Sequence, residues 1–219
     1  LCDQILNYRD NCYYNFYKVF QFQLPQKFVY NHDPIYGKNG TKHETTLSDD
    51  EFRKYLFMCG MRGTSLFELY YSSTMLDEGE KWFINSEVLN YIEKRHEVLQ
   101  NSQIFGDEPG LGNVYGYSAW SKDRGTIAIR NPSDKVTEYT IKLNQEIGVP
   151  ETIGTTYRKT VLDFNTIEDL SEGQSQKYGD EIKVTLQPRE VRIIDFEPEE
   201  DKISLKVDVI KAINQKEIQ

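Results

Sequence analysis

The segment Phe28-Val29-Tyr30-Asn31-His32-Asp33 ends an apolar run on an amide, an imidazole and a carboxylate, and Pro34 then removes the next backbone donor. A strand that ends in this way sets titratable groups at the mouth of a sheet, where barrel enzymes keep their sites. Around a sugar the two groups could divide the work. Asp33 would stabilise an oxocarbenium-like charge or bind hydroxyls, and His32 would donate to a hydroxyl. A plain cap or turn is the competing reading of the same cluster. A second carboxylate, Glu68, stands inside the apolar run Leu66 to Tyr71 and must be paired or face a wet cavity. Arg62 is its nearest candidate partner, so an Arg62–Glu68 ion pair and a substrate-facing Glu68 stand as alternatives. Tyr30, Tyr36, Tyr70 and Tyr71 lie close by in sequence, either as a stacking wall for a sugar ring or as packing.

The surrounding pattern up to about Gly106 is helical with two strand interruptions. Apolar and aromatic residues at Ile5, Tyr8, Cys12, Phe16 and Val19–Phe20 mark a helix face over residues 1–22, ended by Leu24-Pro25. The strand 28–33 and a polar loop from Gly37 to Thr46 follow. Ser48 with Glu51 three residues later is a capping box, and Asp49 and Asp50 favour the same helix start. Phe52, Tyr55, Leu56 and Cys59 share one face of that helix. Gly60 and Gly63 break it ahead of a second strand, Ser65 to Tyr71. From Glu80 to about Gln103, Trp82, Phe83, Val88, Leu89, Ile92 and Leu99 recur with helical spacing, with Trp82 placed in the core. The order helix, strand, helix, strand, helix predicts an α/β layer with parallel strands and outer helices.

After Gly106 the pattern is all-β. Asn113 to Trp120, Gly125 to Arg130, Thr137 to Leu143, Ile182 to Leu186 and Val191 to Glu197 are strand-like runs separated by turn signals, which predicts an antiparallel sandwich. Trp120 is expected to pack between the two parts. Three units follow: 1–105, 106–197, and a linker or tail at 198–219.

Composition bounds the partners. The 219 residues are long enough to bury a real core, and 15 Tyr and 11 Phe supply rings that stack on flat apolar faces. A net charge of −9 argues against a nucleic-acid partner, since phosphate binding needs a basic face, and leaves a neutral ligand as the better fit for the aromatics. No apolar run is long enough to span a membrane. Cys2, Cys12 and Cys59 show no CxxC spacing and read as free, buried thiols rather than a zinc site or a disulfide framework. Asn39-Gly40-Thr41 is a glycosylation sequon, informative only if the host glycosylates. No metal or cofactor motif is legible. The absence of an initiator Met and of a leader suggests a fragment, secreted or at the cell surface if its parent carries a leader and cytoplasmic otherwise.

Phe28 to Asp33 resembles the strand-seven motif of the alpha-amylase family of glycoside hydrolases, an apolar pair and a variable residue followed by Asn-His-Asp. The element order after it resembles that family too: a loop, a helix, a Gly-rich turn into a last barrel strand, a final helix and an all-β domain. Met61 to Ser72, Val114 to Trp120 and Ile129 to Ser133 are similar to bacterial glycosidases of the endo-alpha-N-acetylgalactosaminidase type. The resemblance implies the C-terminal portion of a (β/α)8 TIM-type barrel followed by an antiparallel β-sandwich domain. It implies a parent that hydrolyses α-glycosidic bonds with retention, with the carbohydrate and the remainder of the barrel as partners. Asp33 would be the transition-state-stabilising carboxylate and His32 the contact to substrate hydroxyls, with Asn31, Tyr36, Arg62 and Glu68 as further sugar contacts. The family's nucleophile and general acid lie on earlier strands, so this chain alone is expected to be inactive. Pro34-Ile35-Tyr36-Gly37 departs from the usual amylase continuation. A non-catalytic carbohydrate-binding or structural module is the alternative.

Overall fold

The computed structural model describes residues 2–30, 32–36, 47–161, 167–168 and 175–199. Helix α1 (Cys2–Tyr14) turns Leu6, Asp10 and Tyr13 inward, the spacing of one helical face. The inward stripe therefore carries a carboxylate, and the residues expected on the buried face, Tyr8, Phe16, Val19 and Phe20, are exposed. Part of the difference arises where α1 passes into a wide π turn, Asn15–Val19, closed by the Phe20 amide donating to the Asn15 carbonyl. That turn shifts the helical phase before Phe20.

A 3-10 turn over Gln26–Phe28 occupies the start of the expected strand 28–33, and the regular ladder comes later. Strand β1 (Ile35–Tyr36) pairs in parallel with β2 (Tyr70–Tyr71). The pairing extends further as single bonds: the Ser65 amide donates to the Val29 carbonyl (3.2 Å), Tyr70 to Pro34 (3.1 Å) and Ser72 to Tyr36 (2.7 Å), all in one register. Pro34 does not end the pairing because only its carbonyl is used, which a proline can supply. The two extended segments, Val29 to Tyr36 and Ser65 to Ser72, thus run side by side.

Helix α2 (Asp49–Met61) crosses between them. Its start is the capping box expected from sequence: the Ser48 side chain accepts from the Glu51 amide, and the Glu51 carboxylate accepts from the Ser48 amide. Every residue from Tyr55 to Met61 is buried, because α2 is enclosed by its neighbours rather than lying on a surface.

A short helix α3 (Ser73–Leu76) leads to α4 (Lys81–Lys94) and α5 (His96–Leu99). The helix expected over 80–103 is thereby divided at Arg95. On α4 the buried stripe is Ile84, Val88 and Tyr91, and Trp82 lies half exposed with its indole N–H on Asp77 Oδ1 at 2.8 Å. Trp82 is therefore not a core residue. Its polar edge finds a partner at the surface, and the stripe that spacing actually buries starts two positions later.

The β part contains β3 (Gln103–Gly106), β4 (Tyr115–Trp120), β5 (Gly125–Arg130), β6 (Thr137–Lys142), β7 (Thr156–Val161), β8 (Ile167–Glu168), β9 (Ser175–Gln176), β10 (Glu181–Leu186) and β11 (Val191–Pro198). Seven of these form one antiparallel sheet in the order β3-β4-β5-β11-β7-β8, with β9 also on β7. Strands β6 and β10 form a separate antiparallel pair. The large sheet is covered on both sides. Ile104, Tyr115, Tyr117, Ala119, Ala128 and Ile193 pack with the helices. Phe105, Trp120, Ile127, Ile129, Ile194 and Phe196 pack with Ile141, Ile182, Val184 and Leu186 of the β6–β10 pair. Trp120 was expected between the helical and β parts. It lies on the side away from the helices, its ring centroid 4.8 Å from that of Phe196, because strand alternation turns Ala119 and not Trp120 toward them. Cys59 is a buried free thiol and Cys12 a half-buried one. The sequon at Asn39 and the segment 200–219 lie outside the described residues.

Candidate functional site

The paired extended segments bury one face against α2 through Val29, Phe67 and Tyr71 and leave the other to solvent. The open face carries Tyr30 and His32 from one segment and Glu68 and Tyr70 from the other. The Tyr30 hydroxyl donates to Glu68 Oε2 at 2.7 Å, and His32 Nδ1 stands 2.9 Å from the same oxygen. The Tyr30 and His32 rings meet edge to face at 4.5 Å, and the His32 and Tyr70 rings are 5.7 Å apart. The carboxylate thus fixes the imidazole by its Nδ1 side and leaves Nε2 for an external partner.

The electrostatics follow from those bonds. The Tyr30 hydroxyl, then that of Tyr70 and the neighbouring His32, hold the Glu68 carboxyl below the usual carboxylate value against a smaller opposing effect of desolvation. Reciprocally, its bond to Glu68 pushes the Tyr30 phenol up to about 12. Because the folded Glu68 value is depressed, any stabilisation from the cluster is present above the ordinary carboxylate range and is lost as pH falls through the lowered value. Glu68→Gln is expected to bring the Tyr30 phenol down toward the ordinary tyrosine value of about 10, read as the alkaline absorbance titration of the phenolate against the unmodified protein. An unchanged titration curve would remove Glu68 as the partner.

Asp33 faces the opposite way from its neighbour His32. It is buried, with Oδ2 accepting from Arg62 Nη1 at 2.8 Å and lying 3.6 Å from Arg9 Nε. Arg62 is fully buried, and its Nε donates to Asp10 Oδ1 at 2.8 Å. Asp10 also accepts from the Tyr117 hydroxyl at 2.7 Å and from the Tyr115 hydroxyl, which in turn accepts from Arg130 Nη1 at 3.0 Å. The Arg62 guanidinium lies over the Tyr13 ring at 5.5 Å. Burial opposes its charge, yet the adjoining Asp10 carboxylate leads the groups that together outweigh burial and raise Arg62 above its ordinary value. This network joins α1, the end of α2, the Asp33 segment and β4.

The six residues singled out by sequence therefore separate. His32 and Glu68 come together on the open face. Asp33 and Arg62 come together in the interior, so the Arg62–Glu68 pair is replaced by Arg62–Asp33–Asp10 and His32–Glu68. Arg62 cannot touch a soluble ligand from its buried position. Nor can Tyr36, which is fully buried against Phe52 at 5.0 Å with its hydroxyl accepting the Leu47 amide at 3.1 Å. Asn31 lies outside the described residues. Asp10, Tyr115 and Tyr117 also belong to the buried network, though no sequence motif marks them. The usable signal for Asp10 was a carboxylate at the centre of the Leu6–Tyr13 stripe, where a charge must have a partner. Among the described residues no group of three His, Cys, Asp or Glu side chains is arranged to hold a metal ion.

No family model matches the chain, and no curated protein matches it. Among solved structures it is similar to a GH27 β-L-arabinopyranosidase from Geobacillus stearothermophilus, at 12% identity and a TM-score of 0.50, over 91% of this chain and 42% of that one. It is also similar to α-galactosidase I from Mortierella vinacea, at 10% identity and a TM-score of 0.45, over 74% of this chain and 38% of that one. An α-amylase from Anoxybacillus gives 14% identity and a TM-score of 0.42, over 68% of this chain and 33% of that one. The chain thus spans 33% to 42% of the length of these enzymes. The arabinopyranosidase likeness is one of fold: the chain has a glycoside-hydrolase-like fold, matched over 42% of that enzyme's length.

Proposed function

We propose that this chain is the C-terminal part of a glycoside hydrolase acting on α-linked glycans, in which Tyr30, His32, Glu68 and Tyr70 form a sugar-facing wall. The observation that carries the proposal is the bare face of the parallel pair. Parallel strands are ordinarily covered on both faces, because their crossover helices and neighbouring strands enclose them. Here α2 covers one face, and the other presents two phenols, an imidazole and a carboxylate to solvent. In the proposal the βαβ unit formed by β1, α2 and β2 is the closing segment of a (β/α)8 barrel, the remaining strands stand beside it, and the β part is the C-terminal domain.

The roles follow from the geometry. His32 Nε2 meets a sugar hydroxyl while Glu68 holds the ring, and Tyr30 and Tyr70 offer aromatic faces. Asp33, buried on Arg62, is a positioning residue: it anchors the backbone that presents His32 without touching the sugar. A retaining mechanism uses two carboxylates about 5 Å apart, and the proposal assigns both to the rest of the enzyme.

The test uses the full-length protein containing these residues and aryl α-glycosides as substrates. His32→Ala is expected to lower kcat/KM by about tenfold or more through loss of one hydroxyl contact, with an unchanged unfolding midpoint. The isolated 219 residues are expected to leave the same substrates intact. Full activity in the His32→Ala enzyme, or no hydrolysis of any aryl α-glycoside by the full-length protein, would overturn the assignment.

A further inference from the structure

A cleft of about 540 Å3 lies between the segment Phe22 to Lys27 and the turn Gln100 to Ile104, a volume within the ordinary range of small-ligand sites. None of Tyr30, His32, Glu68 and Tyr70 lines it. Its walls are pinned from behind. The buried Gln26 donates from Nε2 to the Arg62 carbonyl (2.8 Å) and accepts the Ile104 amide on Oε1 (2.8 Å), tying the loop to both the end of α2 and β3. Asn101 Nδ2 donates to the Trp120 carbonyl at 2.9 Å, and Gln103 Nε2 donates to the Glu146 carbonyl at 3.0 Å.

One N–H of each amide is committed in this way, which leaves Asn101 and Gln103 a second N–H and the side-chain carbonyl. The Tyr17 side chain also lines the cleft, and its hydroxyl is shielded from solvent and without a hydrogen-bond partner among the described residues. A buried hydroxyl in that condition is rare and calls for a partner. Beside it, Phe22 is half exposed, with its ring 6.2 Å from that of Tyr17. The charge balance is the reverse of the chain's. Lys18 and Lys27 line the cleft, and among the described residues no carboxylate side chain does, in a protein of net charge −9.

We propose that this cleft binds an acidic saccharide, a sugar bearing carboxylate groups. Amides and a phenol that can both donate and accept answer to sugar hydroxyls, which do the same, whereas a sulfate dianion brings acceptors alone. The exposed ring answers to the apolar face of a pyranose, and the lysines to an anion. A sugar acid offers all three together. The inference does not rest on the glycosidase reading and survives its failure.

The test is calorimetric titration of the 219-residue protein with trigalacturonate, galactotriose and sodium sulfate. Trigalacturonate is expected to bind, at least about tenfold more tightly than galactotriose, and sulfate at matched concentration is expected not to displace it. Tyr17→Phe is expected to weaken trigalacturonate about tenfold while leaving the unfolding midpoint unchanged or higher, since it removes an unpaired buried hydroxyl. Phe22→Ala, at a half-exposed position that leaves the fold intact, is expected to weaken it as well. Absence of binding, equal binding of the neutral trimer, displacement by sulfate, or affinity indifferent to both substitutions would each overturn the proposal.

Discussion

Arg62→Met is expected to lower the free energy of unfolding by about 3–5 kcal/mol at neutral pH, out of the roughly 5–15 kcal/mol that a domain of this kind possesses. Methionine approximates the volume of the arginine stem, so the loss isolates the charge rather than a cavity. The guanidinium is fully buried and bridges Asp10 and Asp33, so its removal strands two carboxylates where little water reaches. Arg9, 3.6 Å from Asp33 and partly exposed, can follow only one of them. Asp10 retains the Tyr115 and Tyr117 hydroxyls, which are donors but carry no compensating charge. Denaturant titration of the two proteins measures the difference. A loss below about 1 kcal/mol, the size of an exposed ion pair, would show that the network does not join α1 to the sheet in the manner described.

That network also shows which parts of the molecule were legible in its sequence. The start of α2 could be read because both halves of its capping box lie within four residues, Ser48 and Glu51. The strands β4, β5, β6, β10 and β11 could be read because aromatic and β-branched runs stop at turn residues that act locally. Arg62 could not be assigned in the same way. Glu68 is its nearer carboxylate in sequence, whereas its partners Asp33 and Asp10 stand 29 and 52 residues away. Proximity in sequence favoured one pair, and burial selected another. His32 and Asp33 show the same limit at the shortest range. Side by side in the motif they suggest one catalytic corner, but alternation along an extended segment sends adjacent side chains to opposite faces. One reaches the open face with Glu68, and the other the interior with Arg62. A large ring on a helix suggests core, but the Trp82 indole N–H finds Asp77 at the surface instead.

A second large loss is expected where the end of α4 meets β11 of the same sheet, for Arg95→Met. Arg95 Nη2 donates to Asp195 Oδ2 at 2.6 Å and to Glu197 Oε1, and Tyr91 donates its hydroxyl to Asp195 Oδ1 at 2.5 Å, so α4 is fastened to β11. Asp195 is 1% exposed, and burial raises its carboxyl above the ordinary value even though Arg95 works in the opposite direction. A raised folded value means that the Asp195 contribution is fully present below the unfolded carboxylate value of about 3.9 and declines as pH rises through the folded one. Taking away Arg95 removes the leading influence that holds the value down. The deficit of Arg95→Met relative to the unmodified protein should therefore be small below pH of about 4 and widen on the way to neutrality, where it approaches about 3 kcal/mol. Asp195→Asn in the same protein eliminates the stranded charge while keeping a carbonyl oxygen for the Tyr91 hydroxyl. The double variant is expected to regain most of the loss at pH 7 and to show a flatter dependence on pH. A deficit independent of pH, or a double variant no more stable than Arg95→Met alone, would show that Arg95 holds α4 by packing on Tyr91 rather than by compensating the buried carboxylate.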